Sequence, residues 1–165
     1  MERELTCCFT GHRPIKLPWG YDEEDQRCLS LKHRLGDVVD ALYCSGKRQF
    51  ITGMAEDCDM YFAQTVIDFR REHGDVTMEA AIPFRGQASR WSYEQRVRYD
   101  TIISNCDAVT CLQDEYSSNC MAQRNRYIVD RSAVLPAIYD HTRGGTREAL
   151  NYAPRKKLEI ITIMP

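Results

Sequence analysis

No stretch of the 165-residue chain approaches ~18 consecutive apolar residues, so no segment reads as a membrane-spanning helix. There is no surplus of positive charge either. Lys and Arg number 22 against 24 Asp and Glu, a net charge of -2, which excludes a protein that coats nucleic acid through bulk charge and leaves only a local basic groove open. The eight cysteines include no CxxC pair and no compact Cys/His set, so no metal site is expected, and they read as small buried thiols in a reduced cytosol. The phosphate-binding pattern GxxxxGK[ST] is missing, which sets aside ATPases of that class. Met1-Glu2-Arg3-Glu4 leads straight into a strand-like run without the apolar core of a signal peptide, and a cytoplasmic location is expected. With no repeat, low-complexity tract or linker, residues 1–165 read as one domain.

What is present is an alternation. Short apolar, β-prone runs at Leu5–Thr10, Gln49–Thr52, Val76–Ile82, Ala108–Leu112, Val134–Tyr139 and Leu158–Ile163 predict six strands. Between them, helical spacing predicts helices over residues 23–44, Glu56–Glu72, Ser89–Ser104, 119–131 and Thr146–Ala153, with Gly74 and Pro154 as stop signals. Leu31, Leu35, Val38, Val39 and Leu42 mark one apolar face of the first. This is the βαβ rhythm of an α/β domain: three layers, with a mostly parallel sheet of about six strands covered on both faces. In such sheets ligands sit beyond the carboxyl ends of the strands, at the switch in strand order.

Three glycine-bearing turns fall at predicted strand ends. In Gly144-Gly145-Thr146, two glycines tolerate unusual dihedrals, and Thr146 is placed to cap the following helix. The first-turn N–H groups then point at whatever lies above, so an anion can be held without a lysine. In Thr52-Gly53-Met54-Ala55-Glu56-Asp57-Cys58-Asp59, Glu56 and Asp59 lie three apart on a starting helix. They either complement its positive end or grip sugar hydroxyls. In Gly11-His12-Arg13-Pro14, Arg13 offers a fork of donors suited to phosphate, and His12 is a structural, phosphate-binding or acid–base residue.

Arg124 and Arg126 flank Asn125 and cannot share a helix face, so one is expected at a cleft and the other in solvent. Glu94 and Arg98 are spaced to pair, either at the surface or so as to set Arg98 in the site. Trp91, Tyr93 and Tyr99 fit core packing better than base stacking.

The segments FTGHRP at Phe9–Pro14, ITGMAEDCD at Ile51–Asp59, RNRYIVDRS at Arg124–Ser132 and GGTREALNYA at Gly144–Ala153 together resemble the SLOG superfamily. These are Rossmann-like proteins related to the DNA-processing protein DprA/Smf and to the LOG phosphoribohydrolases. The resemblance is nearest to the DUF1273 branch of YpsA-like and YoqJ-like proteins and spans nearly the whole chain. It implies a Rossmann-like domain whose strand-end loops bind a nucleotide or an NAD-derived ligand such as ADP-ribose, NAD or AMP, as a sensor, with no other cofactor called for. By similarity the pocket residues are Gly11, Arg13, Gly53, Gly144, Gly145 and Thr146, and the residue-level reading adds His12, Asp59, Arg98, Arg124 and Asn125 to the candidate ligand-binding set. Asp59 matches the acidic residue of the DprA-like TGxAxGxD pattern, while Asp57 replaces its second glycine.

LOG enzymes cleave the N-glycosidic bond of a nucleoside monophosphate with an arginine and the glutamate of PGGxGTxxE. Here Arg143 stands in place of the proline and the spacer after the glycine pair is missing. Ala149 occupies the glutamate position, and Glu148 comes one residue early, about 100° away around a helix. Glu56, Glu94 and Glu148 are the alternative carboxylates, and the sequence does not choose among them. Three functions stay open: a nucleotide-binding sensor, a nucleotide hydrolase of LOG type, and a DprA-like accessory protein with weak, salt-sensitive binding of single-stranded DNA. A homodimer is compatible with the size.

Overall fold

The computed structural model describes residues 2–165. Six strands form one all-parallel sheet: β1 (Thr6–Gly11), β2 (Gln49–Thr52), β3 (Thr77–Ile82), β4 (Ala108–Cys111), β5 (Val134–Ile138) and β6 (Glu159–Ile163). Their spatial order is β4-β3-β2-β1-β5-β6. The chain steps outward from β1 to β4, returns over the sheet, and resumes at β5 on the other side of β1. The switch in strand order therefore lies between β1 and β5.

The helices are α1 (Gln26–Cys44), α2 (Cys58–Arg70), α3 (Tyr93–Ser104), α4 (Cys120–Asp130) and α5 (Gly145–Tyr152). Right-handed crossovers in two opposite directions put α1, α2 and α3 on one face and α4 and α5 on the other. The result is the Rossmann-like three-layer α/β architecture. Alternation along the central strands feeds both interfaces. Cys7, Phe9 and Phe50 join Leu31, Leu35, Val39, Phe62 and Val66 under α1 and α2, and the Phe9 and Phe62 rings stack at 4.3 Å. Cys8, Ile51 and Leu135 face Ile128 and Val129 of α4. All five residues of β5 are buried, as a central parallel strand requires.

Three helices begin two or more residues later than their periodicity predicts, each for a local reason. Residues 56 and 57 stay outside α2 because Asp57 has a φ of +62°, a left-handed value that a helix does not admit. Ser92 takes the cap of α3, its side chain accepting from the Gln95 N–H at 3.2 Å, so residues 89–91 remain in turns. Likewise Asp25 caps α1 by accepting from the Arg27 N–H at 2.8 Å, and residues 23–25 precede the helix. The eight cysteines are all unbridged, and five of them are buried. Among the described residues no helix is long and apolar enough to cross a membrane.

Candidate nucleotide-binding site

At the switch point, the ends of β1, β2 and β5 open a cleft of about 340 Å³ between the β1 loop and the start of α5. Its floor is Thr10 and Gly11 at the end of β1, followed by His12 and Arg13. Asp59 and Arg124 form the inner wall, and Asn125, Gly144, Gly145, Thr146 and Glu148 the far side. The cleft thus joins residues as far apart in sequence as Thr10 and Glu148, because the fold places β1 beside β5.

Local chemistry sets each side chain. Arg13 precedes a proline and is held extended at φ -81°, ψ 163°, while Pro14–Lys16 makes a single 3-10 turn. Arg13 is left exposed at the cleft, with only a long contact of 3.9 Å to the Met121 sulfur among the described residues. His12 turns inward. Its Nε2 lies 2.6 Å from Asp140 Oδ1, and the imidazole is almost fully buried. This bond straddles the switch point and ties the end of β1 to the loop after β5. Asp140 also accepts from the Thr142 hydroxyl at 2.6 Å and the Thr142 N–H at 3.0 Å. Those donors, the hydroxyl first and the histidine after, hold its carboxyl well below the usual carboxylate range. His12 is therefore committed to shaping the wall.

The loop Tyr139–Gly144 is pinned from the opposite side by Lys16, which donates to Thr142 Oγ1 at 3.2 Å and to the Arg143 carbonyl. Lys16 lines the cleft and is absent from the sequence-level set. Gly144, at φ +154°, is the N-cap of α5, and a side chain there would press on Lys16 Nζ at 2.8 Å. The expected cap, Thr146, is instead the second helical residue, because the helix opens two positions earlier than the hydroxyl would need. Among the described residues no side chain caps α5. Its first-turn N–H groups are left open at the cleft, and Asn125 fixes their position by donating to the Gly145 carbonyl at 3.2 Å.

The inner wall is a buried ion pair. Arg124 Nη1 lies 3.5 Å from Asp59 Oδ2, and Asp59 also accepts from the Ala55 N–H at 3.1 Å. Burial raises the Asp59 carboxyl against the pull of Arg124 and lowers the guanidinium in turn. Arg124 Nε is buried without a hydrogen-bond partner among the described residues. Gly53 does not line the cleft. It lies under Arg124, where any Cβ would occupy the guanidinium's space, so its glycine serves the arginine's approach to the backbone.

Three further residues singled out by sequence lie elsewhere. Arg98 pairs with Glu23, from the loop before α1, rather than with Glu94, and its guanidinium sits 5.0 Å from the Tyr61 ring. Glu94 is exposed on α3. Glu56 is half-buried in the loop ahead of α2, its carboxyl raised by burial and drawn back by Arg13. Of the three candidate glutamates only Glu148 lines the cleft, whereas Ala149, at the LOG glutamate position, is fully buried.

Residues 7–163 match the family model described as the YspA SLOG family. The chain belongs to the SLOG family of YpsA. Within this family it is similar to the SPbeta prophage-derived protein YoqJ of Bacillus subtilis strain 168, with 30% identity over 143 residues covering 79% of this chain and 84% of YoqJ. It is also similar to the UPF0398 proteins of Bacillus thuringiensis strain Al Hakam and Bacillus cereus strain AH187, each 25% identical over 154 residues, covering 92% of this chain and 83% of theirs. In this SLOG-family chain the quoted motif segments converge on one cleft, although Gly53 and Asp57 do not line it.

Proposed function

We propose that the cleft binds a phosphate-bearing nucleotide of the adenine or NAD-derived class, such as AMP, NAD or ADP-ribose, and that the protein acts as a sensor of it. The observation that carries this reading is the uncapped start of α5 facing the exposed Arg13 across the switch point. An uncapped helix end supplies oriented N–H donors and a partial positive charge, and Arg13 supplies a planar fork of charged donors. A phosphate or pyrophosphate would lie between them. Thr146 adds a hydroxyl and Arg124 an unused Nε–H.

Titration calorimetry with AMP, NAD and ADP-ribose tests the reading. At least one should bind, and Arg13→Ala should weaken it by roughly 1.5–3 kcal/mol, the worth of a charge-assisted hydrogen bond. Failure of all three to bind, or unchanged affinity in the variant, refutes the assignment.

A second reading, hydrolysis of an N-glycosidic bond, is favoured by one observation: Glu148 faces the cleft although it is out of register with the LOG motif. A carboxylate beside the anomeric carbon stabilises oxocarbenium character or orients water. Chromatography of a nucleotide panel after incubation checks this. Release of free base that is lost in Glu148→Gln supports hydrolysis, while stable nucleotide with confirmed binding leaves the sensor.

A further inference from the structure

A second cavity of about 310 Å³ opens between α4 and α5, and it shares two wall residues, Asn125 and Glu148, with the cleft. Beyond that wall it is lined by Arg126, Asn151, Tyr152 and Arg155. The two arginines are exposed, and neither pairs with a carboxylate among the described residues. The nearby Asp130 is already taken: it accepts from the Tyr152 hydroxyl at 2.9 Å and pairs with Lys156 at 3.0 Å. The groove therefore carries two guanidinium groups against the single carboxylate of Glu148, in a chain whose net charge is -2.

The contents of the groove argue for an anion rather than a stacked base. The Tyr152 ring has Arg126 at 5.8 Å and Lys156 at 5.5 Å from its centroid, so cations already attend it. What it offers a ligand is charged N–H donors. The shared wall offers the opposite. Glu148 is a carboxylate, a pure acceptor when ionised, and Asn125 commits one of its two amide N–H groups to the Gly145 carbonyl. An anion is unfavourable against Glu148, and a hydroxyl is favourable there.

We propose, building on the nucleotide reading of the cleft, that the α4–α5 groove is a second phosphate subsite. The ligand is then a ribonucleoside with phosphates on both sides of its sugar. One phosphate sits at the start of α5, the ribose hydroxyl donates to Glu148, and the other phosphate meets Arg126 and Arg155. A free nucleoside 3′,5′-bisphosphate and a short single-stranded ribonucleotide chain share this chemistry.

Titration calorimetry with AMP, adenosine 3′,5′-bisphosphate and a 5′-phosphorylated adenosine trinucleotide tests it, using the wild type and the Arg126→Ala/Arg155→Ala double variant. The bisphosphate should bind about tenfold more tightly than AMP, a gain of about 1.4 kcal/mol. The double variant should erase that preference while leaving AMP affinity unchanged. A further gain with the trinucleotide assigns the subsite to a chain, and no further gain assigns it to the free bisphosphate. AMP binding through Arg13 with no preference for the bisphosphate, or a preference that survives in the double variant, overturns the second subsite and leaves the cleft reading standing. Binding of none of the three overturns both.

Discussion

Two loops leave the same edge of the sheet, and each leads into a helix that begins without a side-chain cap, yet they treat the positive end of that helix in opposite ways. After β2, the start of α2 is filled by the chain's own carboxylates: Asp57 as N-cap residue and Asp59 in the first turn, both buried. After β5, the N-cap is Gly144, the first turn carries no buried acid, and the helix start opens into the cleft. A helix end whose charge is met internally has become part of the wall. One whose only first-turn acid is the exposed Glu148 is left open to an external anion. The difference between them distinguishes a support from a site, and each half of it can be broken separately.

The largest effect is expected at the support. Arg124→Met leaves Asp59 buried without its cation, which costs about 3–5 kcal/mol of stability. Denaturant unfolding measures this. The companion variant Asp59→Asn/Arg124→Met removes both charges and should recover most of the loss. If the single variant is as stable as the wild type, the pair does not hold the wall.

Next in size is Asp57. Both of its carboxylate oxygens are buried without a hydrogen-bond partner among the described residues, and the nearby Tyr61 hydroxyl does not complete a bond to it. Burial first, then the neighbouring Glu23, pushes this carboxyl up to about 7 from an ordinary 3.8, against the pull of Arg98. Folded Asp57 keeps its proton between those values while the unfolded chain has released it. Its contribution is thus fully present below the unfolded value, falls as pH rises through the window, and is lost above about 7. Asp57→Asn should therefore stabilise the protein at pH 8 relative to pH 4, by on the order of 2 kcal/mol. Thermal melts across that range should show a shallower decline for the variant, and parallel curves for the two proteins would refute the buried acid.

A smaller effect belongs to the site. Gly144→Ala forces a side chain onto a backbone at φ +154° and against Lys16, at a cost of roughly 1 kcal/mol or somewhat more. Melting should show a modest loss. A variant of unchanged stability would mean that the loop relaxes freely to another conformation.

The same contrast explains what the sequence discloses. Strand positions are legible to within a residue or two because parallel strands buried on both faces must be continuous apolar runs, as Val134–Ile138 is. Helix starts are less so, since Asp57 carries no local mark of its positive φ beyond standing where related patterns have glycine. Glycines after strands locate the edge, but such a glycine does not say what approaches it: at Gly53 the visitor is Arg124, from 71 positions away. Arg98 is spaced to meet Glu94, and a loop 75 residues distant supplies Glu23 instead. Glu148 follows from the helix's actual phase, which buries Ala149 and so turns its predecessor outward. Lys16 had one available signal, a long cation three residues past the exposed Arg13, but its partners are the Thr142 hydroxyl and the backbone of residue 143, and backbone carbonyls leave no trace in side-chain patterns.

Lys16 gives the finest test of support against site. It is partly exposed, and its bonds go to a hydroxyl and a carbonyl on a surface loop, so Lys16→Met should change stability by no more than about 0.5 kcal/mol. Its consequence for binding should be larger. Without Lys16 the loop ahead of α5 loses its tie to the β1 side, and a ligand must order that loop on arrival, which subtracts from affinity without altering the folded core. The expected pattern is a nearly unchanged melting midpoint together with clearly weaker nucleotide binding in calorimetry. A stability loss as large as the affinity loss would instead place the loop with the buried wall around Asp59, and the distinction between the two helix starts would then be one of degree.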